Sequence, residues 1–192
     1  MPALRSKRFL ISIVILAMRA STLACKFGLA IFVGSQLDLS ALGLYGLAVG
    51  AIALGPVVVG LGMVHVIMRE AVTLPLEQLT GHLRNYWYFT TSIYALILAF
   101  TAGVTYLLGA SWLWVVIIAI ALFEHFGNDV FQLLSNLERP LLANANAFLR
   151  STAWILIYVP LAFWDPAFQS LSALFALWLC GSILAFNRKS VV

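Results

Sequence analysis

The sequence predicts an all-α polytopic membrane protein of six transmembrane helices with both termini cytoplasmic. Composition is the first reason. Of 192 residues, 63% are hydrophobic and 9% charged, and the mean hydropathy is +1.02. A soluble domain is roughly one half apolar and one quarter charged. So few charges cannot coat a water-facing surface, which excludes a soluble globular domain, a nucleic-acid module and a disordered chain. Length is the second reason: six apolar stretches, at about 9–34, 41–68, 86–108, 112–136, 141–163 and 170–187, approach the ~20 residues a helix needs to cross a bilayer. The third is the placement of Lys and Arg, which make a net charge of only +4. Arg5, Lys7 and Arg8 precede the first stretch, Arg69 and Arg84 flank the second connection, Arg139 lies in the fourth, and Arg188 and Lys189 follow the last. The three alternate connections carry neither Lys nor Arg. The positive-inside rule puts the basic ends in the cytoplasm.

Residues 1–8 form a basic cytoplasmic N-terminus, 9–187 the six-helix membrane lobe and 188–192 a cytoplasmic tail. The start mimics a signal peptide, with charges at 5–8, an apolar core from Phe9 and a faint lipoprotein box ending at Cys25. Cleavage is not expected, because the apolar sequence continues to Val33 and Arg19 interrupts the place where the core would end. In the second stretch, Pro56 is the expected kink, and glycines at the spacing Gly46-x3-Gly50 allow close helix packing. The connection at 70–82 alternates apolar and polar residues and reads as a short amphipathic piece broken by Pro75, or as a solvated loop. Pro140 suits the first turn of the fifth helix. Trp112, Trp114 and Trp164 mark outer ends, and Tyr86, Trp87 and Tyr88 an inner one. Cys25 and Cys180 are far apart in apolar runs and read as small membrane residues, not as a disulfide or a metal site.

Ionisable groups inside the spans carry the functional information, because a charge at the bilayer centre costs at least ~2.5–3.5 kcal/mol. Arg19 and Lys26 are two helical turns apart on one face. Counting from Phe9 puts Arg19 ~15 Å in, near the midplane, and Lys26 ~25 Å in. Such a cationic stripe suits an anionic ligand, Arg offering a planar donor fork for phosphate. The alternative is a structural tie between Arg19 and a carboxylate of another span. In the fourth span, His125, Asn128, Asp129 and Gln132 form one polar stripe, with Glu124 beside it. They line either a packed polar interface or a wet path, where a carboxylate next to a His could carry a proton. Counting from the turn at Arg139 and Pro140 puts Asp129 and Arg150 at nearly equal depth, ~15 Å each. That makes an Asp129–Arg150 pair the simplest structural account of both. Glu124 has no equal-depth cation in span five and is left for Arg19 or Lys26, or for function. No nucleophile elbow, phosphate loop or metalloprotease motif occurs, so no enzyme, metal or cofactor is expected.

The stretch 37–51 (LDLSALGLYGLAVGA), followed by GLG at 60–62 and by Arg69 and Glu70, resembles the second-helix region of polysaccharide flippases. FEH at 123–125, LERP at 137–140, Ala143, Asn144 and LRS at 149–151 are similar to the fourth and fifth helices of O-antigen (Wzx-type) flippases. That group belongs to the superfamily of multidrug, oligosaccharidyl-lipid and polysaccharide exporters. The resemblance implies one lobe of a two-lobe transporter, the N-terminal half of a fold with twelve to fourteen helices. The chain would then be a truncated product, half of a split protein or a half-size subunit. It further implies movement of undecaprenyl-pyrophosphate-linked oligosaccharide across the bacterial inner membrane by alternating access. Arg19, Lys26 and Arg150 would meet the pyrophosphate, and Glu124, His125, Asn128 and Asp129 would line the cavity or couple an ion. The implied partners are lipid-linked oligosaccharide, membrane lipids, a second copy or separate C-terminal half, and polysaccharide polymerase or glycosyltransferase machinery. No nucleic acid is among them. A small-molecule antiporter and a non-transporting scaffold of a polysaccharide assembly complex are the alternatives.

Overall fold

The structure, a computed structural model, describes residues 2–70 and 75–186; the side chains of 2–8, Glu70, Leu76 and Phe186 are outside the description. The expectations for Arg188, Lys189 and the 188–192 tail, and for 71–74 of the amphipathic connection, therefore fall outside the described residues, as do the side chains of Arg5, Lys7 and Arg8. Every regular element in the described residues is helical. Among the described residues, five segments are long and apolar enough to span a bilayer: Phe9–Leu37, Leu39–Gly60, Glu77–Leu108, Leu113–Asn136 and Pro140–Trp164. A sixth apolar helix, Leu171–Phe186, is shorter at 16 residues. Phe9, Leu23, Phe27, Leu54, Leu96 and Phe100 turn outward and are exposed, a surface that suits lipid and not water. The chain is an all-α, polytopic membrane protein.

Helix α1 (Pro2–Phe32) runs into a π turn (Val33–Leu37), and α2 (Leu39–Gly60) starts directly after it. Asp38 caps α2. Its carboxylate accepts from the Ala41 N–H at 2.5 Å and from the Ser40 hydroxyl at 2.8 Å. These bonds, the Ala41 one foremost, hold the Asp38 carboxyl below the usual carboxylate range.

The expected second span, 41–68, is two helices. Pro56 lies inside α2 without ending it. The break comes at Leu61 and Gly62, both with positive φ. A left-handed residue after Gly60 is a helix terminator and needs no proline. Helix α3 (Met63–Glu70) then buries Val64, Ile67 and Met68 against Leu79, Leu83 and Tyr86 of α4. Helix α4 (Leu76–Leu108) is capped by Pro75 and runs unbroken through residues expected to lie outside the span. Its 33 residues extend ~50 Å, well beyond a ~30 Å hydrocarbon core.

Helix α5 (Leu113–Asn136) is the central post, packed against α2, α4, α6 and α8. Span five is not one regular helix. It consists of α6 (Pro140–Phe148), a π turn (Leu149–Ala153) and α7 (Trp154–Trp164). Helix α8 (Leu171–Phe186) returns along α5. Buried Phe32, Ile117, Ile120, Tyr158, Phe175 and Trp178 build the main core. Helix α1 packs on α6 and α7, which leaves its opposite face open.

Candidate functional site

Helical phase decides which polar groups of α5 meet. At about 100° per residue, Glu124 and Asn128 share one face and His125 and Asp129 another, about 100° round. The expected single stripe is therefore two faces with different neighbours. Tyr86, expected at an interfacial aromatic belt, is instead buried at 2% exposure on the side of α4 that faces His125.

The first face meets Arg150, on the π turn of span five. Arg150 Nε lies 3.1 Å from Glu124 Oε2. Its Nη1 donates to the Glu124 carbonyl at 3.2 Å and its Nη2 to Asn128 Oδ1 at 2.7 Å. Across the carboxylate, Trp178 Nε1 donates to Glu124 Oε1 at 3.2 Å and the Ser182 hydroxyl at 3.5 Å. Trp178 is fixed by a stack on Trp154, with ring centroids 5.2 Å apart. Arg150 is only 5% exposed; both Nη groups are bonded to protein oxygens, while its Nε sits by the Glu124 carboxylate as a charge contact without a hydrogen bond. Asn128, beside it, is exposed and marks the open edge of the cluster. The guanidinium reaches these partners by crossing Gly127, where a Cβ would fall inside it.

This replaces the expected Asp129–Arg150 pair. Counting residues equalised the depths of the two Cα atoms, but Asp129 points round to another face. Glu124 stands one turn away along the helix, within reach of the long arginine stem. The other expectation, that Glu124 meets Arg19 or Lys26, is corrected with it: Arg150 already holds that carboxylate.

On the second face, His125 sits between two hydroxyls. Tyr86 Oη is 2.9 Å from Nε2 and Tyr94 Oη 3.3 Å from Nδ1. Gly60 of α2 passes over this ring, where a Cβ would come within 3.1 Å of Nε2. Asp129 Oδ2 lies 3.9 Å from His125 Nε2. Asp129 is 2% exposed, and its Oδ2 accepts no hydrogen bond.

Arg19 and Lys26 stand apart from both clusters. They are exposed on α1. Arg19 Nε donates to Asn144 Oδ1 at 2.9 Å, so its partner is a neutral amide and not the carboxylate of the expected alternative. One turn along, the Thr152 hydroxyl donates to that of Thr22 at 3.1 Å. Both threonines lie at the middle of their spans, Phe9–Leu37 and Pro140–Trp164. Asn144 is the fifth residue of α6, about 12 Å from that middle toward the end bearing Arg69, Arg84 and Arg139. The expected midplane position thus holds roughly for the Arg19 backbone but not for its head. Helical side chains lean toward the N-terminus, which carries the guanidinium to the basic end. Lys26 is on the other side of the middle, eleven residues before Leu37.

Sequence reasoning assigned no role to Gly127, Trp178, Ser182 or Asn144. Gly127 was the findable one, since a lone glycine between Glu124 and Asn128 is where a long side chain can cross a helix. Among the described residues no three His, Cys, Asp or Glu side chains gather as a metal site. No family model, curated protein or solved structure matches the chain.

Proposed function

We propose that this protein is a lobe of a flippase that carries a lipid-linked saccharide across the bacterial inner membrane. Its work is non-covalent: cations hold the anionic head group while the lipid tails stay in the bilayer. The observation that carries this reading is the flank of α1 beside the face that packs on α6. Arg19 and Lys26 are exposed there, and the bonded partner of Arg19 is an amide. A guanidinium in a membrane helix needs a counter-charge or water, and an anionic ligand supplies one. Arg69, Arg84 and Arg139 at one end make that end cytoplasmic under the positive-inside rule. The resemblance of the second, fourth and fifth spans to O-antigen flippases points the same way. Arg150 serves this reading as the tie that holds α5 to span five, while the ligand contacts fall to Arg19 and Lys26.

The test is complementation of a strain lacking its surface-polysaccharide flippase, supplying the missing second half where required. Arg19→Ala combined with Lys26→Ala is expected to abolish surface polymer at wild-type protein levels. Normal polymer would remove the role. A second reading, a small-cation antiporter, is favoured by one observation, the buried Asp129 Oδ2 without a hydrogen bond. A drug-sensitivity screen in which Asp129→Asn alone abolishes resistance would select it.

A further inference from the structure

The amide of Asn144 is committed at both ends. Its Nδ2 donates to the Pro140 carbonyl at 2.7 Å, and its Oδ1 accepts from Arg19 Nε at 2.9 Å. Turning the amide over would set N–H against N–H and oxygen against oxygen, so its orientation is fixed by what it touches. Asn144 itself is buried, at 6% exposure. The helix that carries Arg19 is pinned beside it by the Thr22–Thr152 bond. A guanidinium can grip a tetrahedral anion from its side, through Nε and one Nη, or end-on through the two Nη groups. With Nε taken, only the end-on fork remains, and both Nη groups are unbonded to any described residue.

We infer that Asn144 is a positioning residue for Arg19: it takes the Nε and turns the terminal fork out of the bundle as a clip for a phosphate-type anion. The inference rests on the reading of Arg19 as an anion ligand. The clip lies about 12 Å from the middle of the spans, close to the boundary of a ~30 Å hydrocarbon core, where lipid phosphates sit. A neutral partner is what such a clip requires. An amide fixes direction without cancelling charge, whereas a carboxylate in the same place would neutralise the arginine. Two sources share the chemistry, the diphosphate of a lipid-linked sugar and the phosphate of an ordinary anionic phospholipid.

The experiment uses the full chain in phosphatidylcholine nanodiscs, titrated with a short-chain prenyl diphosphate and separately with phosphatidic acid. Asn144→Asp keeps the shape and turns the Arg19 contact into an ion pair, but it loses the Nδ2 bond and sets an oxygen against the Pro140 carbonyl. The expected result is prenyl diphosphate binding weaker by about tenfold or more, the size of a lost charge-assisted bond, with the unfolding midpoint little changed because the ion pair offsets the lost bond. Asn144→Ala, which frees the guanidinium, is expected to weaken binding by a smaller factor, and Arg19→Lys, which lacks the fork, by at least as much as Asn144→Asp. If only phosphatidic acid binds and Asn144→Asp weakens it equally, the positioning role stands and the saccharide reading falls. If Asn144→Asp binds within about twofold of wild type, or neither probe binds the wild-type chain, the positioning role is overturned.

Discussion

The molecule holds two arginines inside its spans in opposite ways. Arg150 is buried at the middle of the bundle, paired with Glu124 and bonded to Asn128. Arg19 is exposed near one end, with one bond to a neutral amide. Both are costly residues for a membrane helix, and their presence in the sequence says the same thing of each. Their partners separate them. A guanidinium buried beside a carboxylate, with both Nη groups bonded to protein oxygens, is neutralised and out of a ligand's reach, and works as a fastener. One with its fork unbonded has capacity to spare. A charge inside a membrane helix is therefore interpreted by the donors it has left, and only secondarily by its depth.

The sharpest way to break this contrast is to remove each charge and measure stability. Arg150→Leu leaves Glu124 buried with only Trp178 and Ser182, an uncompensated charge that costs roughly 3–5 kcal/mol. Arg19→Leu removes one partly buried bond and is expected to cost about 1 kcal/mol or less. Unfolding of the full chain in mild detergent with increasing dodecyl sulfate checks both. Adding Glu124→Leu to Arg150→Leu is expected to recover much of the loss, because an apolar pair can replace a buried ion pair at little cost. Equal destabilisation by the two single leucine variants would erase the distinction between fastener and ligand.

A smaller effect tests how Arg150 gets to its partner. Gly127→Ala puts a methyl where the guanidinium lies and is expected to destabilise by about 1–3 kcal/mol, the range for overpacking. Gly28 of α1 is the matched control, since a Cβ there meets nothing within 4 Å. Gly28→Ala is expected to be neutral or to gain up to ~1 kcal/mol from helix propensity. The same unfolding measurement reads both. A harmless Gly127→Ala would mean that the arginine does not depend on this crossing.

Much of this architecture is legible in the residues. Hydropathy and length gave the helical class and the approximate place of each span, because both are properties of a helix taken alone. The polar residues of α5 could likewise be picked out by their expense. Pairing could not, because it depends on the phase between helices. Glu124 and Asp129 differ by five residues, yet they face different neighbours, and counting depth from Arg139 could not see that. The end of α2 was misjudged for another reason: the span was expected to run to 68 with a kink at Pro56, but the positive φ at Leu61 and Gly62, which hydropathy does not register, ends the helix. Asn144 looked like one more amide in an apolar run. Its bond to Arg19 spans 125 residues, a separation at which no local pattern carries information.

The smallest effect concerns what keeps Arg19 in place. Thr22 and Thr152 are joined at 3.1 Å, and hydrogen bonds between membrane helices average only ~0.6 kcal/mol. A double-mutant cycle with Thr22→Val and Thr152→Val is expected to give a coupling energy of that size in the unfolding measurement. Valine preserves the shape of threonine, so packing is retained and the cycle isolates the bond. Stability is not where this bond matters most if Arg19 is a ligand. Thr22 lies one turn from Arg19, so loosening it lets α1 shift relative to Asn144, and a fork aimed by two contacts is then aimed by one. Prenyl diphosphate binding is expected to weaken in Thr152→Val, by less than in Asn144→Asp, because the positioning bond itself survives. Arg150 supplies the internal check. It lies two residues from Thr152 but is held by Glu124 and Asn128, so the mutation is not expected to disturb its contacts. A cycle with no coupling and no change in binding would show that α1 is held by apolar packing alone, and the placement of Arg19 would then rest on Asn144.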